Sequence, residues 1–174
     1  MKVTIIGAGN MGRGIGTRAV AGGNDVEIID RDAAEAQTLA EELQKATTGG
    51  ASAAAVESGG AISGDIVVLA LYYPSSSDAV EQYAEQLAGK VVVDISNPAD
   101  VQTFDRLVTP PDTSAAEETA RLVPEGTPVV KAFNTTFAGT LVAGGAGGQK
   151  LDVLIAGDDP DAKEKVASIT PASS

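Results

Sequence analysis

The sequence predicts an α/β fold built on a doubly wound parallel sheet, with helices on both of its faces. Short apolar runs alternate with longer, charged, Ala-rich segments along almost all of the 174 residues. Strands that alternate with helices in this way form parallel sheets, because right-handed crossovers bring each helix back onto the sheet. Aromatic residues are only 3% of the composition, so the core must consist of Val, Ile, Leu and Ala. No linker is visible, and we expect residues 1–174 to form a single domain.

The pattern of apolar residues places the individual elements in chain order. Short apolar runs predict strands at Val3–Ile6, Asp25–Asp30, Ala51–Val56, Ile66–Leu71, Val91–Ile95, Val129–Phe133 and Leu151–Ala156. Longer amphipathic stretches predict helices at Asn10–Ala21, Ala33–Ala46, Ser75–Ala88, Thr113–Leu122 and Asp161–Ile169.

Capping residues refine two of these boundaries, and a glycine-rich run marks a loop. Ser75 or Ser76 is expected to cap the third helix, and Thr113 or Ser114 the fourth, because short polar side chains accept hydrogen bonds from free N–H groups. The glycine-rich run at 144–148 is interpreted as a mobile surface loop. It is not interpreted as a second phosphate site, because no strand leads into it in the required register.

The charge of the chain limits its partners. With 24 acidic and 12 basic residues the net charge is −12, and such a surface repels phosphate backbones and anionic headgroups. We therefore expect no nucleic-acid partner and no membrane partner. The acidity has two explanations that stay open, a well-solvated surface or a cytoplasm rich in salt. No apolar run is long enough for a signal peptide or a spanning helix, so a cytoplasmic protein is expected.

The chain contains no cysteine and no histidine. Disulfides, thiolate nucleophiles and Cys/His zinc sites are therefore excluded, and no metal site is expected. A histidine general base, the usual proton acceptor in alcohol oxidation, is excluded as well. Any redox chemistry of this chain must work without such a base.

A glycine-rich loop lies between the first predicted strand and the first predicted helix. In G-A-G-N-M-G, Gly7 permits the tight turn, Gly9 lets the backbone approach a pyrophosphate, and Gly12 lets the helix lie close to the strand. The helix N-terminus then offers free N–H groups to the phosphates. This context predicts a Rossmann-type NAD(P)-binding domain. The candidate phosphate-loop residues are Gly7, Gly9, Asn10, Met11 and Gly12.

Two adjacent residues of opposite charge end the second predicted strand. Asp30 lies where a carboxylate accepts hydrogen bonds from the adenosine ribose, which favours NAD. Arg31 follows, where a guanidinium can bind the 2′-phosphate of NADP or stack on adenine. The residues alone leave the choice between NAD and NADP open, with a slight preference for NAD.

Three later strand ends meet at the same edge of the predicted sheet. They are Leu71–Pro74, Ser96–Pro98 and Lys131–Thr136, and they contain two of the three tyrosines, one phenylalanine and two asparagines. Ligands of open α/β sheets lie across the carboxyl ends of the strands, so a nicotinamide and a second planar ring fit this wall. The alternative is that Tyr72 and Phe133 are ordinary packing residues. The Lys131 stem is expected to pack, with its charge reaching solvent.

The loop and these strand ends together resemble the coenzyme F420-dependent NADP oxidoreductase family, which includes reductase domains of membrane metalloreductases. The segments Y-Y-P, D-I-S-N-P, K-A-F-N-T and D-V-L-I-A-G-D-D carry the resemblance, from Met1 to about Ile169. It implies NADP or NAD as cofactor, F420 or a flavin as acceptor, and a homodimer. The positions that match the family's nucleotide, nicotinamide and deazaflavin contacts are Gly7–Gly12, Arg31, Tyr72, Tyr73, Pro74, Asn97, Pro98, Ala132, Phe133, Asn134 and Thr135.

The chain departs from this family in two respects. NADP-binding members typically have a small hydroxyl residue where this chain has Asp30, and a basic residue near Glu35. Members also continue past the last predicted helix with segments that complete the pocket, so either this chain is a form shortened at its C-terminus or something else supplies the missing wall.

The sequence therefore predicts hydride transfer between a nicotinamide dinucleotide and a planar acceptor. Such a transfer needs two stacked rings and no side-chain acid or base, so no catalytic side chain is assigned. Two alternatives stay open. One is a non-catalytic dinucleotide-binding or sensing module. The other is a reductase of a small imine or carbonyl compound, with Tyr72 or Tyr73 as the proton donor.

Overall fold

The computed structural model describes residues 1–47 and 49–170 and contains a seven-stranded sheet with helices against both faces. The strands of the sheet are β1 (Lys2–Ile6), β2 (Asp25–Ile29), β3 (Ala53–Val56), β4 (Ile66–Leu69), β5 (Val91–Asp94), β6 (Val129–Ala132) and β9 (Ile155–Ala156). Six neighbouring strands are parallel, in the order β3-β2-β1-β4-β5-β6, and β9 is added antiparallel beside β6. This is the 3-2-1-4-5-6 order of doubly wound dinucleotide-binding sheets.

The helices divide between the two faces and confirm the predicted doubly wound architecture. One apolar cluster joins the sheet to α1 (Asn10–Ala21), α2 (Ala33–Ala46), α5 (Ala138–Ala143) and α6 (Pro160–Ala167). A second cluster joins the opposite face to α3 (Tyr73–Leu87), and α4 (Ala115–Leu122) packs beside α3 on the same side. No helix among residues 1–47 and 49–170 is long and apolar enough to cross a membrane.

The central strands are apolar on both sides, as a parallel sheet covered by two helical layers requires. In β4, Ile66 and Val68 pack in the first cluster, whereas Val67 and Leu69 pack in the second. All four side chains are fully buried. These buried strands hold the loops at their carboxyl ends, where the candidate site lies.

The last strand differs from its prediction in length and direction. In place of a parallel strand at Leu151–Ala156, β9 contains two residues and pairs antiparallel with β6. A parallel neighbour needs a crossover helix that packs across the sheet. The helix in this connection, α5, has only six residues and packs mainly against α1, and the strand that follows it runs antiparallel to β6.

The glycine-rich run at 144–148, predicted to be a mobile surface loop, ends α5 and forms the first strand and the turn of a short hairpin. Strands β7 (Gly145–Ala146) and β8 (Gln149–Lys150) pair antiparallel. Gly147 and Gly148 between them have φ of 58° and 80°, and two-residue turns with positive φ at both positions match the twist of a hairpin. The composition is therefore explained by turn geometry.

Helix α3 begins earlier than predicted. Its N-cap is Tyr72, not Ser75 or Ser76, and Pro74 lies in its first turn. Proline is favoured there because the first-turn N–H groups have no partner within the helix. Ser114 caps α4 as one of the two predicted candidates and forms a capping box with Glu117.

The chain is also predicted to be shortened at its C-terminus. That prediction falls on the end of the chain, where residues 171–174 lie outside the described part.

Candidate functional site

Close backbone packing shapes the phosphate loop. Gly7 has φ of 116°, and its N–H donates to the Ile29 carbonyl at 2.8 Å. A Cβ at Gly7 would lie 2.4 Å from the Ala70 oxygen, and a Cβ at Gly12 would lie 2.0 Å from the Gly7 oxygen. Both positions therefore require glycine, as the loop motif predicts.

Gly9 differs from these two glycines because the space beside it is open. A Cβ there would meet no atom within 4 Å. The first N–H groups of the 12-residue helix α1 have no partner within the helix. Gly9, the N-cap, has no side chain that could accept from them. Free N–H groups and the positive end of the helix dipole together form an anion site.

Asp30 holds this loop against the end of β2. Its Oδ2 accepts from the Ala8 N–H at 2.7 Å, and its Oδ1 accepts from the Asp32 N–H at 2.9 Å. Each carboxylate oxygen has one backbone donor and can accept a further hydrogen bond, so the contact with a ribose stays a prediction. The next residue, Arg31, is exposed and has no ion-pair partner in the described part of the chain.

Two clefts open at the carboxyl edge of the sheet and meet at the phosphate loop. The first cleft, of about 380 Å³, lies on the Asp30 side, and the second, of about 630 Å³, lies on the β5 side. Both are lined by Gly9, Leu71 and Tyr72. A ligand with two ends and a phosphate centre fits two clefts that share a helix N-terminus.

The predicted site residues divide between these clefts. Those in the first are Gly7, Gly9, Asp30, Arg31, Leu71 and Tyr72. Those in the second are Gly9, Asn10, Met11, Leu71, Tyr72, Asn97 and Pro98. Polar residues of the first cleft that were not predicted to belong to the site are Ser58, Ser75, Asp78, Gln82 and Tyr83.

The outer wall of the second cleft also consists of residues that were not predicted from the sequence. Val101, Phe104 and Leu107 line it with side chains 68%, 76% and 67% exposed. The loop at 98–108 that carries them is organised by Asp100, which accepts from the Gln102 N–H and from the Arg106 guanidinium. These bonds, the Gln102 N–H first, lower the pKa of Asp100.

The predicted residues at the end of β6 do not line either cleft. Ala132 and Phe133 are fully buried in the apolar core, and Phe133 has φ of 63°. Thr135 is exposed outside the clefts. Asn134 ties the two strand ends together, because its carbonyl accepts from the Asn97 amide at 3.0 Å. For Phe133 the packing alternative therefore matches its position.

Lys131 also lies differently from the expectation. Its ammonium donates to the buried Asp94 carboxylate at 2.9 Å and to the Ser96 carbonyl, and so does not reach freely into solvent. The Ser96 hydroxyl lies beside this pair and is buried without a hydrogen-bond partner in the described part of the chain. Since Ser96 lines the second cleft, its hydroxyl is a candidate polar contact for a ligand there.

Tyr73 turns away from the clefts towards α4. Its hydroxyl donates to the Glu118 carboxylate, and this bond, with burial adding to it, raises the pKa of Tyr73 to about 12. Its neighbour Tyr72 is 82% exposed and lines both clefts. The two adjacent tyrosines therefore have different roles, since only Tyr72 can touch a ligand.

Comparison with known proteins agrees with this geometry. Residues 2–98 match the model of a family described as NADP oxidoreductase, coenzyme F420-dependent. The F420-dependent NADP reductase of Methanocaldococcus jannaschii is 33% identical, over 97% of this chain and 78% of that protein. Metalloreductase STEAP3 of Rattus norvegicus is also 33% identical, over 98% of this chain but only 32% of that protein. A solved structure of a hypothetical protein from Sinorhizobium meliloti has a TM-score of 0.82 and 30% identity, over 99% of this chain and 82% of that one.

Proposed function

Because the chain belongs to the coenzyme F420-dependent NADP oxidoreductase family, we propose that it binds NADP(H) across the two clefts and exchanges a hydride with a planar acceptor. The single observation that carries this proposal is the junction of the clefts. Gly9 and the N-terminus of α1 lie where the clefts meet, so a pyrophosphate there directs one nucleoside into each.

The residues present fit such a cofactor. The open space at Gly9 admits phosphate oxygens to the free N–H groups of α1. In the first cleft, Arg31 is available for a ribose phosphate. In the second cleft, the unpartnered Ser96 hydroxyl and the Asn97 amide offer polar contacts to the carboxamide of a nicotinamide.

The chemistry requires position and exclusion of water more than it requires a side-chain acid or base. When bound, the reduced nicotinamide supplies two electrons and one hydrogen nucleus as a hydride, and the acceptor takes a further proton from water. The chain's own contribution is an apolar wall, Tyr72, Val101 and Phe104, against which a second ring can lie parallel to the first. This agrees with the absence of histidine from the sequence. The acceptor is proposed to be F420 or a flavin.

Turnover tests the proposal directly. Purified protein is mixed with NADPH and with F420, FMN or FAD in separate reactions, and NADPH oxidation is followed by absorbance. We expect oxidation that depends on both the protein and the acceptor. Tight NADPH binding with no oxidation by any acceptor would favour the sensing module and end the enzyme proposal.

Asp30 provides a test of cofactor choice. Asp30→Asn keeps a side-chain oxygen for the Ala8 N–H but removes the charge, so NADPH affinity should rise about fivefold relative to NADH. Asp30→Ala removes the acceptor and should lower the affinity for both cofactors, because the loop loses its support. Fluorescence titration of the wild type and both variants with NADPH and with NADH gives the dissociation constants and their ratios. An unchanged ratio in Asp30→Asn would show that this carboxylate does not sense the 2′-phosphate.

Tyr73→Phe separates hydride transfer from the imine or carbonyl alternative. The Tyr73 hydroxyl is directed to Glu118 and its pKa of about 12 makes it a poor proton donor near pH 7. We expect kcat with a planar acceptor to stay within about twofold of the wild type, measured at pH 7. Tyr72→Phe, which keeps the ring, should behave the same way. A loss of about 100-fold or more in either variant would indicate a tyrosine proton donor.

The expected homodimer and the expected cytoplasmic location stay predictions.

A further inference from the structure

A closed ring of hydrogen bonds at the end of β5 holds the backbone of Ser96. The Asp94 carboxylate accepts from the Ser96 N–H at 2.8 Å through Oδ1 and from the Lys131 ammonium at 2.9 Å through Oδ2. The Lys131 ammonium also donates to the Ser96 carbonyl. One ion pair therefore binds both polar groups of the Ser96 backbone, and this restrains the direction of the Ser96 side chain.

The hydroxyl of Ser96 is the polar group of this residue that has no such partner. Ser96 is 3% exposed, and its Oγ is buried without a hydrogen bond in the described part of the chain. An unpaired buried hydroxyl lowers the stability of the free protein. Because Ser96 lines the second cleft, a ligand in that cleft can supply the hydrogen bond.

The neighbouring amide of Asn97 is already engaged. Its Nδ2 donates to the Asn134 carbonyl at 3.0 Å, and its Oδ1 accepts from the Asn134 side-chain amide at 3.4 Å. Among the polar side chains of the described residues that line the second cleft, only that of Ser96 is both buried and unpartnered. Ser96 is therefore the group there whose hydrogen-bonding capacity is reserved for a ligand.

Stability alone does not account for the pair that holds Ser96. Asp94 has a side chain that is 0% exposed, and that of Lys131 is 22% exposed. Taking two charges out of water costs about as much free energy as their attraction contributes, so an apolar pair of similar volume is often equally stable. A pair that binds a backbone N–H and carbonyl at the rim of a cleft also fixes position, which an apolar pair would not do.

We propose that Asp94 and Lys131 are positioning residues, which hold Ser96 so that its hydroxyl binds the carboxamide of a nicotinamide ring in the second cleft. This inference rests on the proposed function and specifies how the same site orients one end of the cofactor. The hydroxyl can donate to the carboxamide oxygen or accept from the carboxamide nitrogen. A held carboxamide restrains rotation of the ring about its glycosidic bond, and so determines which C4 hydrogen faces the acceptor.

Two variants that each remove one buried hydroxyl test the contact. Thr127 is the matched control, because its hydroxyl is also buried without a partner in the described part of the chain, and it lines neither cleft. Ser96→Ala and Thr127→Val should both keep or raise Tm, since each removes an unpaired group. Only Ser96→Ala should raise the Kd for NADPH, by about tenfold. Neither should change the Kd for 2′,5′-ADP, which has the adenosine half of NADPH and no nicotinamide. Titration calorimetry measures both ligands.

A double-mutant cycle tests whether Lys131 acts through Ser96. Lys131→Met alone should raise the Kd for NADPH about tenfold at a temperature well below its Tm, with the Kd for 2′,5′-ADP unchanged. Added to Ser96→Ala, the same change should raise the Kd by less than about twofold, because the contact that Lys131 positions is already lost. Asp94→Asn combined with Lys131→Met leaves no unpaired buried charge, and it replaces Lys131→Met in the cycle if that variant does not fold.

The outcomes separate the inference from the function on which it rests. Equal NADPH affinities of Ser96→Ala and Thr127→Val would overturn the inference. So would a tenfold effect of Lys131→Met that persists in the Ser96→Ala background, because Lys131 would then act independently of Ser96. A wild-type protein that binds no NADPH, or that binds it without oxidation by any acceptor, would instead contradict the proposed function.

Discussion

Gly9→Ala is expected to weaken NADPH binding about 100-fold while leaving the fold almost unchanged. The added methyl group would project into the open space where the phosphates must approach the N-terminus of α1. Losing two hydrogen bonds to a charged group costs about 3 kcal/mol, which corresponds to about a 100-fold increase in Kd. The backbone at Gly9, with φ −71° and ψ −171°, is extended and accepts alanine without strain. Alanine is a poorer N-cap than glycine, and we expect Tm to fall by no more than about 3 °C.

Gly139→Ala is the matched control. A Cβ at Gly139 also meets no atom within 4 Å, but this residue lies in α5 and lines neither cleft. Its NADPH affinity should equal that of the wild type, and its stability should rise slightly because alanine favours the helix. Kd from fluorescence titration and Tm from calorimetry give both readouts. Equal affinities for Gly9→Ala and the wild type would contradict the proposed position of the phosphates at the N-terminus of α1.

Lys131→Met is expected to cause the largest loss of stability. It would leave the Asp94 carboxylate, which is 0% exposed, without its counterion inside the protein. Breaking a buried pair by removing one partner costs about 3–5 kcal/mol, because the remaining charge is uncompensated. For a chain of this length Tm should fall by roughly 10 °C. Denaturant unfolding followed by circular dichroism measures the free energy of unfolding.

Arg106→Met is the comparison for this prediction. It breaks the pair with Asp100, in which the arginine side chain is 72% exposed, and exposed pairs contribute about 1 kcal/mol or less. Adding Asp94→Asn to Lys131→Met should restore part of the lost stability, since the buried charge is then gone. Equal losses in Lys131→Met and Arg106→Met would contradict the account of Lys131.

Local patterns predicted the elements because those patterns are properties of neighbouring residues. The G-A-G-N-M-G loop, the apolar strands and the Ala-rich helices lie where their spacing placed them, with α1 and α2 matching at both ends. The doubly wound arrangement also follows from the alternation of strands and helices together with right-handed crossovers. The short antiparallel β9 depends on how α5 packs against α1, which no local spacing records.

Several side chains have positions that depend on tertiary contacts and that were therefore not predicted from the sequence. The partner of Asp30 is the Ala8 N–H, 22 residues away, and only the fold brings the two together. Phe133 turns into the core through a positive φ that its residue type does not suggest. Val101 and Phe104 belong to no strand or helix, so they show no periodicity, and the loop that carries them is held by hydrogen bonds of Asp100. A cluster of apolar residues in a polar loop was the signal available for them.

Transfer of a labelled hydride tests the central claim most directly. NADPH carrying deuterium at C4 of the nicotinamide, in the R or the S position, is incubated with the protein and a 5-deazaflavin, whose C5 keeps a transferred hydrogen because a carbon-bound hydrogen does not exchange with water. If the hydride passes directly, we expect one of the two labelled cofactors to deliver its deuterium to C5. Mass spectrometry would detect this as a gain of one mass unit in the reduced deazaflavin. Reduced deazaflavin without label from both cofactors, or labelled NADPH that binds and is never oxidised, would contradict direct transfer between two rings in the second cleft.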